Sequence, residues 1–117
     1  MLIDTHCHIH EADYPLPIQE VLAKARQAEV SAMICVGTNA ASSRRAVQYA
    51  QEYAPLYVAI GVHPHDSTEG TQAIAELAAQ QPAKLVAIGE IGLDYHYTNS
   101  PPAAQQRALE EQLQLAV

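Results

Sequence analysis

The sequence predicts an α/β protein of four successive βα units, with parallel strands inside and helices outside. Three observations predict it. Strand-like and helix-like segments alternate four times along the 117 residues. The strand-like segments are continuous apolar runs rich in Val and Ile, the pattern of parallel strands covered by helices. Residues of metal-ligand type gather at or just past the ends of three of these runs, where parallel α/β folds keep their chemistry.

Leu2 to Thr5 is the first strand. Ile18, Val21, Leu22 and Ala25 then recur at helical spacing, with Pro17 suited to the first turn. Ser31 to Val36 is a second strand closed by Gly37. Asn39 is placed to cap a helix carrying Val47, Ala50 and Ala54, which Pro55 stops. Leu56 to Val62 is a third strand. Ile74, Leu77 and Ala78 mark a third helix ending near Pro82. Leu85 to Ile88 is the fourth strand. Asn99-Ser100-Pro101-Pro102 signals a helix start, and Leu109, Leu113 and Ala116 give that helix an apolar stripe. The Ala-Ala-Gln-Gln tracts at 78–81 and 103–106 are expected on helix surfaces.

Four such units make half of a TIM (β/α)8 barrel, which typically needs about 250 residues. Two architectures are therefore open: a small open α/β sheet, or a single domain over residues 1–117 forming an N-terminal half-barrel. A half-barrel leaves strand edges open, and open edges invite pairing with another chain or with a missing C-terminal half.

With 49% hydrophobic residues, six Tyr and no Phe or Trp, the core is expected to be aliphatic. The formal net charge of −7 gives no basic footprint for nucleic acid, so bound cations would have to attract a polyanion. Cys7 and Cys35 have no metal-knuckle or disulfide-framework spacing and read as buried free thiols. No apolar run approaches the roughly 20 residues of a membrane span, and no signal-peptide pattern is present, so a cytoplasmic location is expected.

Asp4-Thr5-His6-Cys7-His8 places Asp4, His6 and His8 on one face of an extended segment. The two imidazoles then stand about 7 Å apart along the chain, and both can reach one cation. Asp4, one step deeper, either accepts an imidazole N–H or gives buried support. His63 and His65 repeat the spacing around Pro64 and are open to three roles: metal ligand, contact to a substrate anion, or proton donor. Four His on one cation would crowd out a substrate, which favours the substrate-facing or supporting roles. Glu90 lies between Gly89 and Gly92 and shares a face with Asp94. A carboxylate there can bridge two cations about 3.5–4 Å apart. Gly89 and Gly92 are expected to permit close backbone approach.

Together, Ile3-Asp4-Thr5-His6-Cys7-His8, Gly61-Val62-His63-Pro64-His65 and Gly89-Glu90-Ile91-Gly92-Leu93-Asp94-Tyr95 resemble the TatD family of metal-dependent deoxyribonucleases, in the amidohydrolase-like barrel superfamily. The resemblance implies a (β/α)8 barrel hydrolysing phosphodiesters, with DNA as substrate. It implies two divalent cations in a complete site, with Mg, Mn and Zn all compatible. His6 and His8 would bind one cation, and Glu90 would bridge to the second. His63 would lie beside the substrate phosphate, supported by His65. The family's other ligands come from the second half of the barrel. Two further readings stay open on sequence: a non-catalytic metal-binding half-barrel that self-associates, and a hydrolase of another ester or amide.

Overall fold

The computed structural model describes residues 1–117. The element order is β1 (Leu2–Cys7), α1 (Ile18–Gln27), β2 (Val30–Val36), α2 (Ala40–Glu52), β3 (Leu56–Ile60), a 3-10 helix (Pro64–Glu69), α3 (Gln72–Ala79), β4 (Leu85–Ile88) and α4 (Pro102–Ala116). The strands form one parallel sheet in the order β1-β2-β3-β4. The four predicted βα units are all present.

The core lies between the middle strands and α2 and α3. Cys35, Val58 and Ile60 from the sheet meet Ala46, Val47 and Ala50 of α2, with Ile74 and Leu77 of α3 beside them. Small residues on α2 let the helix sit close to the sheet. The start of α2 is capped as predicted: the Asn39 side chain accepts the Ser42 N–H at 2.9 Å. Truncating fully buried Ile60 to Ala would cost about 2–5 kcal/mol.

Three expectations need correction. First, the outer strands are not covered. Leu2, Ile3 and Val86 are more than half exposed, because β1 and β4 each have one neighbour and four strands enclose no barrel interior. Second, β3 ends at Ile60 rather than Val62. Val62 finds its partner on α4: its N–H donates to the Gln112 side-chain oxygen at 2.7 Å, and its carbonyl accepts from the Gln112 amide at 3.2 Å.

Third, the inward face of α4 is Gln105, Ala108 and Gln112, not the leucine stripe. Leu109 and Leu113 instead line an open surface cleft of about 350 Å³, and Leu113 is exposed. Gln105 and Gln112 are buried because each amide satisfies backbone groups that no strand reaches.

No helix is long and apolar enough to cross a membrane.

Candidate metal centre

The site forms where the chain leaves the C-terminal ends of β1, β3 and β4. At the end of β1, the His8 Nδ1–H donates to the Val36 carbonyl at 2.9 Å. That bond fixes the neutral tautomer and leaves Nε2 as a bare lone pair. His6 Nε2 stands 3.0 Å from His8 Nε2. Asp4 is exposed, and its carboxylate accepts the backbone N–H of His6 at 3.1 Å rather than an imidazole N–H.

Glu90 reaches the same point from β4. The Gly89 N–H still bonds to the Ile60 carbonyl of β3, at 2.8 Å, but the Glu90 N–H bonds to the Gly37 carbonyl at the end of β2, at 2.9 Å. The chain after β4 therefore passes over the end of β3. Gly61 makes that crossing possible: a Cβ there would lie 2.7 Å from the Gly89 carbonyl carbon and 3.0 Å from the Glu90 nitrogen. A Cβ on Gly89 would meet nothing within 4 Å. The close approach predicted for Gly89 thus belongs to Gly61. Buried Ser43 of α2 holds Gly61 from beneath, accepting its N–H at 3.1 Å and donating to its carbonyl at 3.2 Å.

The Glu90 carboxylate then lies 3.4 Å from His6 Nε2, 3.7 Å from His8 Nε2 and 3.5 Å from His63 Nε2. Donor atoms of His6, His8 and Glu90 all fall within 4.8 Å of one another. Two imidazole nitrogens and a carboxylate are a donor set for zinc, iron or manganese, so these residues fit a divalent cation. His63 differs. Its Nδ1 accepts the His65 backbone N–H at 3.1 Å, so its neutral form carries the proton on Nε2, facing Glu90. A cleft of about 420 Å³ opens here, lined by His8, Thr38, His63, His65, Asp66 and Glu90. No Lys or Arg lines it.

His65 and Asp94 meet directly, Nε2 to carboxylate at 2.7 Å. The His65 hydrogen bond, aided by the N–H groups of Tyr97 and His96, holds the Asp94 carboxyl below its ordinary range. Asp94 is anchored in turn by Gln105, whose side-chain oxygen accepts the Asp94 N–H at 2.8 Å and whose amide donates to the Asp94 and Ser100 carbonyls. Ser100 closes the circuit by donating to the His65 carbonyl at 2.8 Å. Gln105, Ser100 and Ser43 escape the sequence reading. Ser43 and Ser100 meet partners 18 and 35 residues away, and Gln105 turns back onto the loop just before its helix, at positions where side-chain type alone does not say so.

His10 is another residue without a predicted role. It is buried, with Nε2 3.1 Å from Ser42 Oγ and 2.8 Å from the Glu11 carboxylate. Its Nδ1 has no partner. Burial, opposed by Glu11, pulls its pKa down to about 4.

The geometry gathers three side chains that could hold a metal ion at the C-terminal end of a parallel α/β sheet. Residues 3–117 match the family of TatD related DNases, and the chain belongs to that family. It is 38% identical to the uncharacterized metal-dependent hydrolase YabD of Bacillus subtilis over 120 aligned residues, covering 99% of this chain and 46% of that protein. It is 39% identical to the 3'-5' ssDNA/RNA exonuclease TatD of Cronobacter turicensis, covering 98% of this chain and 44% of that one. The crystal structure of YjjV, a TatD homolog from Escherichia coli, superposes with a TM-score of 0.87 at 36% identity, over 97% of this chain and 46% of that one. The chain thus spans about half the length of these relatives, and its fold is that of half a TIM barrel.

Proposed function

We propose that residues 1–117 form the N-terminal half-barrel of a cytoplasmic, divalent-metal-dependent hydrolase that cleaves phosphodiester bonds in DNA. The observation that supports it most is the convergence of His6, His8 and Glu90 from opposite edges of the sheet onto one point. His6 and His8 present Nε2 to one cation. Glu90 would share in holding that cation and a second one, two in a complete site. Bound there, the cations would activate water and stabilise charge on the attacking and leaving oxygens.

The chain's own groups do the rest. The Val36 carbonyl keeps His8 in the tautomer that can bind. His63, with its Nε2 proton aimed into the cleft, donates a hydrogen bond to a phosphate oxygen; the same proton argues against a ligand role. Asp94 fixes the His65 ring, and the His65 backbone N–H fixes His63. Asp4 holds the strand backbone at His6.

Manganese or zinc content, measured on the purified chain and on His6→Ala and Glu90→Ala, tests the ligands. Both variants should bind less, and unchanged stoichiometry would refute the assignment. For the substrate, single-stranded DNA is assayed with Mg²⁺ or Mn²⁺ beside simple ester and amide substrates. Turnover of those with DNA left intact would replace the nuclease reading with that of another superfamily hydrolase.

A second reading draws on Leu2, Ile3 and Val86, exposed on the two edge strands. In it the edges pair with a second copy or with a C-terminal half, and the isolated chain binds metal without catalysis. Sedimentation equilibrium of the chain alone tests self-association, and a strict monomer at every concentration excludes the second copy.

A further inference from the structure

The loop that leaves the metal cluster carries the most exposed aromatic rings of the chain. Tyr95 and Tyr97 are 52% and 57% exposed, while Tyr14 and Tyr57 stand at 38% and 37%. Both rings sit in Asp94-Tyr95-His96-Tyr97, just beyond Glu90. We propose that Tyr97, with Tyr95 beside it, is a stacking platform for a nucleobase of a single-stranded nucleic acid whose phosphate occupies the cleft at His63 and Glu90. The inference rests on the phosphodiesterase reading above and adds a base-binding subsite to it.

Position is the first support. The Tyr97 ring meets the His65 ring edge to face, with centroids 5.7 Å apart and planes at 87°. His65 itself lines the phosphate cleft. A base on Tyr97 would therefore be one step from a phosphate at His63.

Shape and chemistry are the second. A groove of about 160 Å³ is bordered by Tyr95, Tyr97, Thr98, Ser100, Pro101 and Gln105, with no charged side chain among its walls. The neighbouring cleft holds His, Asp and Glu side chains and is polar throughout. A nucleotide has this same division into a flat base and a charged phosphate.

Rigidity is the third. The Asp94 carboxylate accepts the backbone N–H groups of His96 at 3.0 Å and Tyr97 at 3.3 Å. Buried Gln105 ties the loop's Asp94 and Ser100 carbonyls together. A loop already held in place loses little freedom when a ligand docks. Because these bonds use up polar groups of the loop, the platform offers a π-face more than a hydrogen-bond pattern. Stacking without edge readout tolerates any base.

Charge makes the contribution necessary. With a net charge of −7 and no Lys or Arg in the cleft, this half of the site cannot hold a polyanion by cationic side chains. Base–aromatic stacking is worth roughly 5- to 150-fold in affinity per base.

The test compares two fluorescein-labelled probes on the manganese-loaded chain: a short phosphorothioate oligothymidylate, which resists turnover, and an abasic strand of equal length. Fluorescence anisotropy should show the base-bearing strand binding about 5- to 150-fold more tightly. Tyr97→Ala should erase that preference and Tyr97→Phe should keep it, with manganese stoichiometry confirming that each variant is folded. Equal binding of both probes, unaffected by Tyr97→Ala, would overturn the platform and leave the phosphate site standing. A Tyr97→Ala loss equal for both probes would also overturn it, as a structural effect. Failure of both strands to bind would remove the phosphodiesterase reading and the platform together.

Discussion

Gly61→Ala should damage the metal centre although it touches no ligand side chain. The added Cβ would sit 2.7 Å from the Gly89 carbonyl carbon and 2.8 Å from its oxygen, about 0.7 Å inside the 3.4 Å at which ordinary contact begins. The obstacle is backbone, so no rotamer relieves it. Gly61 cannot retreat either, because Ser43 grips both its N–H and its carbonyl. Most of the displacement therefore falls on the Gly89–Glu90 segment, several times the roughly 0.2 Å tolerance of a metal–ligand distance. Overpacking of this kind costs about 1–3 kcal/mol, which at this size lowers Tm by roughly 4–12 °C. Manganese affinity, read by isothermal titration, should fall about tenfold or more, in the range seen when the groups that orient ligands are lost. Gly89→Ala is the control: its Cβ meets nothing within 4 Å, and it should change affinity little. Wild-type affinity and Tm in Gly61→Ala, or an equal loss in Gly89→Ala, would refute the crossing as the origin of Glu90's position.

Three further outcomes follow from the polar groups around the site and in the core. Gln105→Leu strands the Asp94 N–H and two carbonyls, and should cost about 1–3 kcal/mol in urea denaturation while speeding proteolysis within residues 94–100; unchanged stability would show that water replaces the amide. Asp94 should titrate below an ordinary Asp in a carboxyl NMR experiment, and His65→Ala should raise it back toward 3.8, with no rise meaning that the Tyr97 and His96 N–H groups suffice. His10 is held neutral by burial, near pH 4 against an ordinary 6.5, so the unfolded chain binds more protons between those values. Its contribution, on the order of 3 kcal/mol, is complete above pH 6.5 and lost as pH falls towards 4. His10→Gln should flatten the stability profile in that window, and an equally steep profile would contradict the assignment.

The sequence readily reveals whatever repeats locally. Apolar runs placed all four strands, and Asn39 marked its helix start by the residue type an N-cap needs. His6, His8 and Glu90 were legible because strand alternation and strand ends say where side chains gather. What escaped depends on partners outside the residue's own element. Gln105 looks like solvated helix until the loop it satisfies is known, and Ser43 looks like a helix start until Gly61 arrives from 18 residues away. Glycines mislead for the same reason. Gly89 adjoins the key carboxylate in sequence, but the steric demand falls on Gly61, across the sheet. The α4 leucines fail differently: an apolar stripe identifies a face that avoids water without saying which surface it seeks.

The two strands that carry the proposed ligands, β1 and β4, are the two edges of the sheet. In a flat sheet, three spacings of about 4.8 Å would hold them roughly 14 Å apart. Yet the Glu90 carboxylate lies 3.4 Å from His6 Nε2, and the Glu90 backbone N–H bonds to Gly37, just past the end of β2, two strands away. The sheet curls, and the exit of β4 folds inward over Gly61 to close the distance. Metal affinity should therefore depend on sheet curvature. Any partner that pairs with the open edge of β1 or β4 acts on the strands that carry the proposed ligands, and an effect of edge binding on metal binding would be matched by an equal effect of metal on edge binding. Manganese should tighten association at the edges if the paired geometry brings the donors together, and weaken it if pairing draws them apart. Sedimentation with and without manganese distinguishes the two, and an association constant indifferent to the metal would mean that the curl is fixed within the half-barrel itself.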